Sequence, residues 1–306
     1  MEIDERAPRR IFGRVLRPVF RHRRQGSGAV DPAVRTPTAC SNGPVPDDGV
    51  HHPLLTEVTR ALAAGGCVAA EEEAVELLAS ARGDAAGVAA LVGRRLRGEP
   101  LAWITGSTRF CGLRIAVHHG VYVPRWQSEP LARRALALLP EHGAAVDVCT
   151  GSGAVAAFLG HGRPAARVVA TDVDGRAVAC ARSNGVEAYE GDLFAPVPAD
   201  LAHGVDVVVA VVPYVPTPAL AFLPHDTLTF ESALPYDGGA DGTDVLRRMV
   251  AASPHWLRLG GALLLETGAG EAHALAEQLE RHGFGAVAVL EDDEGDERGI
   301  EATFEG

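Results

Sequence analysis

The chain has no lysine: all 28 of its basic residues are arginine, set against 40 Asp and Glu. With Ala, Gly and Val so abundant, a GC-rich coding bias accounts for this without any appeal to function. Cysteine is scarce as well. Five thiols in 306 residues (Cys40, Cys67, Cys111, Cys149, Cys180), with no Cys-x-x-Cys spacing, argue against a disulfide framework or a zinc site and fit a reducing cytoplasm. The pairs His51-His52 and His118-His119 have no partner at metal-ligand spacing, so no metal is expected. No apolar run reaches the roughly 18–20 residues of a membrane span, so no membrane partner is expected.

The formal net charge of −12 is unevenly spread. Residues 1–50 carry nine arginines against six acids, which leaves the remainder strongly acidic. Affinity for nucleic acid comes largely from neutralised phosphates, so an RNA or DNA partner is not expected. The Arg-rich segment is mixed with Gly, Pro and Ser and reads as a flexible tail. It lacks the apolar core of a secretion signal.

From residue 51 to 100 the pattern is helical: Leu54, Leu55, Val58 and Leu62 recur at helix spacing, followed by Val75, Leu77, Leu78 and by Val88, Leu91, Val92. Residues 101–124 change period. Ile104–Phe110 and Leu113–Val117 alternate about Cys111-Gly112, which predicts a β-hairpin linker. Over 125–306 strand and helix signals alternate: strands at Ala145–Val148, Val168–Thr171, Val205–Val212 and Ala262–Glu266, helices at Ala154–Leu159, Arg176–Ser183 and Glu271–His282. This predicts an α/β fold, a doubly wound and mainly parallel sheet. Ala286–Leu290 and Ile300–Phe304 read as an antiparallel edge pair around the solvated acidic loop Asp292–Glu297.

Asp147-Val-Cys149-Thr150-Gly151-Ser152-Gly153 ends one predicted strand and opens a helix, and its glycines let the backbone approach a ligand. A dinucleotide fingerprint would need a third glycine where Ala156 stands. Asp172, followed by Val173, sits at the tip of the next strand, where a carboxylate can accept both hydroxyls of a ribose. Asp192-Leu193 follows the third strand signal and suits an adenine amino group and ring. Asp147 is placed to face the amino end of a bound S-adenosylmethionine (SAM). These acids at successive strand ends favour SAM, with NAD as the competitor. Cys149 reads as a small packing residue beside the turn.

Several motifs then occur in a familiar order: Gly98-Glu-Pro-Leu-Ala-Trp-Ile-Thr-Gly106, Phe110-Cys-Gly-Leu-Arg114, Val123-Pro-Arg-Trp-Gln-Ser-Glu129, Asp147–Gly153, Thr171-Asp172, Gly191-Asp192, Val211-Val-Pro-Tyr214, Phe230-Glu231, Asp237-Gly-Gly-Ala-Asp-Gly242 and Gly260–Glu266. Over residues 55–305 the chain resembles the HemK-type protein glutamine N-methyltransferases. The resemblance implies a seven-stranded SAM-binding domain, a small N-terminal helical domain, a hairpin linker, and methylation of a Gln side-chain amide in peptide-chain release factors. It departs from the family where the Asn-Pro-Pro-Tyr box is Val211-Val212-Pro213-Tyr214, where the following Glu-Pro is Glu231-Ser232, and in a short helical region.

The resemblance places the methyl acceptor at Val212, Pro213 and Tyr214, with Val211 beside the cofactor, and Glu231 can stand in as a hydrogen-bond acceptor; Arg125 and Glu129, just after the hairpin, read either as the pocket rim or as a salt bridge pinning the linker, and Trp126 as a cover for the pocket or as aromatic packing. The family's Asn accepts an amide N–H and orients the nitrogen lone pair; Val211 has no side-chain acceptor. Three readings stay open: a small-molecule amine, guanidine or amino acid as acceptor; a release-factor glutamine; or a SAM-binding protein that no longer catalyses.

Overall fold

The computed structural model describes residues 54–306 apart from positions 83, 224, 269, 270 and 293. The Arg-rich segment 1–50, with its flexible-tail reading, lies outside the described residues, as do His51 and His52. The first helices are α1 (Leu55–Ala64), α2 (Ala70–Ser80) and α3 (Ala85–Leu96). Their apolar positions recur at helical spacing, so each buries one stripe. Val58, Leu62, Ala74, Leu77, Leu78 and Val88 close on one another and on Ile104. Asp84 opens α3, its carboxylate accepting the Gly87 amide at 2.9 Å.

Ile104 corrects the sequence expectation. It lies in a short helix, α4 (Leu101–Thr105), and the hairpin strands are β1 (Ser107–Phe110) and β2 (Leu113–Ala116), paired antiparallel. Pro100 stands at the helix N-cap, and Ala102, Trp103 and Ile104 are buried in succession. Three consecutive buried side chains suit one helical turn packed on two sides, whereas a strand would turn the middle one to the opposite face.

Seven strands form the main sheet: β3 (Ala144–Val148), β4 (Arg167–Asp172), β5 (Glu187–Glu190), β6 (Val205–Ala210), β7 (Leu257–Glu266), β8 (Phe284–Glu291) and β9 (Glu297–Phe304). Their order is β5-β4-β3-β6-β7-β9-β8. The first five are parallel, and β9 runs antiparallel between β7 and β8. The edge pair expected from the sequence is therefore present. The helices are α5 (Glu129–Leu138), α6 (Ala154–Gly162), α7 (Gly175–Ser183), α8 (His225–Phe230), α9 (Asp244–Ala252) and α10 (Glu271–Arg281).

Both faces of the sheet are covered, which is why its strands are runs of Val, Ala and Leu rather than alternating patterns. Leu131 and Ala135 of α5 and Val155 and Leu159 of α6 pack on Ala145, Val207, Val209 and Leu264. On the other face Leu246, Met249 and Val250 of α9, with Leu275 and Leu279 of α10, meet Val146, Val148, Val208 and Leu265. The strand order reverses between β3 and β6, so a crevice opens at the carboxyl ends of those strands. No helix among the described residues is long and apolar enough to cross a membrane.

Gly153, which leads into α6, fixes the spacing of two helices. Its φ is 79°, and a Cβ added there would lie 2.8 Å from the Cβ of Ala181 on α7. Gly153→Ala is expected to lower the unfolding free energy by about 1–3 kcal/mol through overpacking and backbone strain. Urea denaturation measures this; an unchanged midpoint and slope would mean that α7 moves away freely.

Candidate active site

The site begins with a buried acid. Asp147, the fourth residue of β3, is 1 % exposed, and its Oδ2 accepts the Thr150 hydroxyl at 2.6 Å and the Ala156 amide at 3.1 Å. Burial pushes its carboxyl up to about 7, against the opposing pull of those two donors. The Thr150 amide donates to the Thr171 carbonyl at 3.0 Å and ties the turn to β4. Asp172 continues the link. Its Oδ2 accepts the Gly151 amide at 2.9 Å, and its Oδ1 accepts the Asp174 amide at 2.9 Å. Its carbonyl accepts the Gly191 amide at 2.9 Å, which brings in the end of β5. Burial raises the Asp172 carboxyl, with the Asp174 and Gly151 amides opposing.

A cavity of about 290 Å³ opens over these strand ends. Of the residues expected around a cofactor, Cys149, Gly151, Asp172, Val173, Asp192, Leu193 and Val211 line it, and so does Pro213 from the acceptor box. The structure therefore brings together side chains 64 positions apart in sequence, from Cys149 to Pro213, in one continuous hollow. Asp192 forms an ion pair with Arg248 of α9, a partner that sequence reasoning missed. Burial, and then the charges of Asp172, Asp147 and Asp192, push the Cys149 thiol well above its ordinary range, so it is no nucleophile. The same negative surroundings and a polar-ended, apolar-walled hollow fit a cationic nucleoside such as SAM.

Other expected residues stand elsewhere. Asp147, Thr150, Ser152 and Gly153 lie beneath or behind the turn and shape it without lining the cavity. Val212 is 2 % exposed and points into the core against β6 and α9. Tyr214 donates its hydroxyl to Glu266 Oε1 at 3.3 Å, at the end of β7. Burial raises the Glu266 carboxyl, with Ser128 and Tyr214 opposing, and its Oε2 is buried without a hydrogen-bond partner.

Arg125, Trp126, Glu129 and Glu231 are not among the residues that line the main cavity. Glu129 accepts the Cys111 amide at 2.9 Å and pairs with Arg133, so it pins the hairpin turn to α5. Trp126 is 58 % exposed and stacks under the Arg298 guanidinium, 5.3 Å from ring centre to carbon. Arg298 is in turn held by Asp292 at 2.6 Å, so Asp292 is tied down rather than solvated. Glu231 is buried in a cluster: Arg125 donates to its Oε1 at 3.0 Å and the Tyr236 hydroxyl to its Oε2 at 2.5 Å. Arg125 and Glu231 line a second cavity, of about 250 Å³, together with Arg95 and Glu76 of the helical segment. They form a partition beside the main cavity and do not line it.

The acceptor box is held by backbone. Val215 N donates to the Tyr236 carbonyl and Gly238 N to the Val215 carbonyl, both at 2.8 Å. A Cβ on Gly238 would stand 2.8 Å from both the Pro213 carbonyl oxygen and the Tyr214 Cα. The Asp237–Gly242 motif is thus a cradle in which only glycine admits the Pro-Tyr corner. Sequence reasoning also missed Tyr122, which lines the main cavity beside Gly151. It lies one residue before a quoted motif, and only its contacts mark it.

No family model matches the chain. It is 35% identical over 229 residues to the release factor glutamine methyltransferase of Geobacter sulfurreducens, covering 73% of this chain and 77% of that protein. It is 36% identical over 214 residues to the protein of the same name from Neisseria gonorrhoeae, covering 66% and 76%. Among solved structures, the hMettl16 catalytic domain in complex with MAT2A 3′UTR hairpin 1 matches with a TM-score of 0.51 over 63% of this chain and 75% of that one, at 14% identity, a likeness of fold alone.

The buried Asp147 makes stability depend on pH. Its folded value near 7 lies above the ordinary 3.8, so the folded protein holds this proton more tightly than the unfolded chain does. Its contribution to stability is therefore full below about pH 4 and is lost progressively as pH rises to about 7. Asp147→Asn keeps a side-chain acceptor but cannot ionise. Its unfolding free energy should fall less than that of the wild type between pH 5 and 8, by about 2 kcal/mol. Urea unfolding at the two pH values tests this; parallel falls would show that Asp147 does not titrate there.

Proposed function

The chain belongs to the release factor glutamine methyltransferase family, whose members are SAM-dependent, and on that premise we propose that it methylates the side-chain amide nitrogen of a glutamine in a peptide-chain release factor. The observation that carries this reading is the identity with the curated relatives, 35% over 77% of the Geobacter sulfurreducens protein. The continuous cavity from Asp172 to Pro213 supports it, because it offers one wall to a cofactor and another to an acceptor.

In this reading Asp172 takes the ribose hydroxyls. Each of its oxygens already accepts one backbone amide and keeps a further lone-pair direction free. Leu193 and Val173 flank the adenine ring, and Asp192 shares its carboxylate between the adenine amino group and Arg248. Bound SAM would supply an electrophilic sulfonium methyl, and its transfer to the acceptor nitrogen would release the thioether S-adenosylhomocysteine and one proton from that nitrogen. The protein's own task is positioning and desolvation. An amide lone pair is delocalised into its carbonyl, so the nitrogen must be held at the methyl with water kept out. Val211, Pro213, Leu234 and Pro235 give that side of the cavity apolar walls. The backbone carbonyl of Val212 follows the strand end and is the acceptor the box retains.

A second reading, transfer to a small-molecule amine or guanidine, is favoured by one observation: Val211 lines the cavity and offers no side-chain acceptor to an amide. A more nucleophilic nitrogen needs less orientation. The two readings separate when labelled SAM is offered with a release factor and, separately, with a panel of amines, guanidines and amino acids. Label in the release factor is the expected result. Label only in a small molecule replaces the first reading by the second. Absence of label in both, with SAM binding intact, identifies a protein that binds without catalysis.

A further inference from the structure

The turn that carries the chain from the hairpin into α5 leaves a large aromatic ring in solvent. Trp126 is 58 % exposed, whereas Trp103 is buried with its indole N–H on the Val121 carbonyl at 2.8 Å. The exposed ring is nevertheless fixed. One side of it rests on the Arg298 guanidinium, whose carbon stands 5.3 Å from a ring centre. Arg298 is held in turn by Asp292 at 2.6 Å and Asp296 at 3.4 Å. A rigid indole on a clamped support offers contact area to a partner at little cost in conformational entropy.

This turn is fastened to the acceptor end of the site on both sides of Trp126. Arg125, the residue before it, donates to Glu231 and Tyr236 and stands over the ring of Tyr122, which lines the main cavity. Ser128, two residues after it, hydrogen-bonds the Glu266 carboxyl, which accepts the Tyr214 hydroxyl at 3.3 Å. Trp126 itself is outside the cavity. A ligand small enough to be enclosed there has no use for it. A polypeptide does, because only its methylated side chain enters the cavity and the residues on either side run over the surface around the mouth.

Charge defines the kind of polypeptide. The loop between β8 and β9 sets Asp292 and Asp296 against Arg298 and exposes Glu291 and Glu294, so one guanidinium meets four carboxylates beside the ring. The free face of an indole is itself electron-rich and attracts a cation. Ring and loop together form a patch complementary to a basic segment.

We propose that Trp126 is a docking anchor for the protein acceptor, its free face and the acidic loop beside it receiving a basic stretch of polypeptide that flanks the methylated glutamine. This inference rests on the release-factor reading above and names the surface that reading requires outside the cavity.

The test compares wild type, Trp126→Ala and Trp126→Phe. Each is assayed for kcat and KM with a release factor at low and high salt, for SAM affinity by calorimetry, and for unfolding midpoint. Trp126→Ala should raise KM for the release factor by about 10-fold, the order lost when an aromatic anchor is truncated. Its kcat and SAM affinity should stay within about twofold, a margin worth only a few tenths of a kcal/mol. Trp126→Phe keeps a ring over Arg298 and should recover most of the loss, to within about threefold of wild type. The wild-type KM should rise with salt, since exposed charges are screened. An unchanged KM in Trp126→Ala, or a wild-type KM indifferent to salt, overturns the inference while leaving the activity in place. A loss of kcat, SAM affinity or midpoint in Trp126→Ala also overturns it, since the ring would then be structural. A wild type that leaves the release factor unlabelled overturns the amide reading and this inference with it.

Discussion

At the carboxyl end of β3 a strand must become a helix within a few residues while its backbone stays open to a ligand, and the buried carboxyl of Asp147 holds that reversal. It fastens Thr150 from one side and the first turn of α6, through Ala156, from the other. From there the constraint spreads outward. Thr150 is bonded to β4 through Thr171, Gly151 to the carboxylate of Asp172, and Asp172 to Gly191 after β5. Three parallel strand ends are thereby locked into one relative position. Displacing any of them would move the others, so the cavity keeps its shape before a ligand arrives. That preorganisation matters for a reaction that depends on placement rather than on a strong acid or base.

The acceptor wall is built on the opposite principle. Pro213 and Tyr214 are seated by backbone contact with the Gly238 cradle and by the hydroxyl of Tyr214 on the buried Glu266. Such a seat is intolerant of side chains but indifferent to what stands at position 211. A valine there changes the chemistry offered to the acceptor without disturbing the loop that presents it. The box can therefore lose its Asn and keep its geometry. The partition made by Arg125, Glu231 and Tyr236 links this wall to the helical segment, because Arg125 and Glu231 also border the second cavity beside Arg95.

The sheet was legible because burial on both faces writes itself as unbroken runs such as Val205–Ala210, and acids at strand tips stand out against such runs. Asp172 and Asp192 are legible that way, and Gly151 from the glycine-rich turn; all three line the cavity. Periodicity failed at Ile104, where three consecutive buried residues mimicked alternation around a helical turn. It could not place Glu231 or Glu129 either. Both are acids beside recognisable motifs, but Glu231 is consumed by Arg125 across 106 positions and Glu129 by the amide of Cys111. Tyr122 and Arg248 gave no local signal at all. Their place at the cavity is made by partners remote in sequence, Tyr236 for one and Asp192 for the other.

The same turn also decides between the two cofactors that a glycine-rich strand-to-helix connection admits. A dinucleotide places its diphosphate at the amino end of the helix, where unpaired amides and the helix dipole favour an anion. In this chain the Ala156 amide at that end is already donating to Asp147. That amide is taken up by a carboxyl of the protein, beneath the turn, and is not left for a phosphate. Burial first, and then the charges of Asp172, Asp147 and Asp192, push the Cys149 thiol up, with Arg248 opposing. A diphosphate would meet that field as repulsion, whereas a sulfonium would meet it as stabilisation.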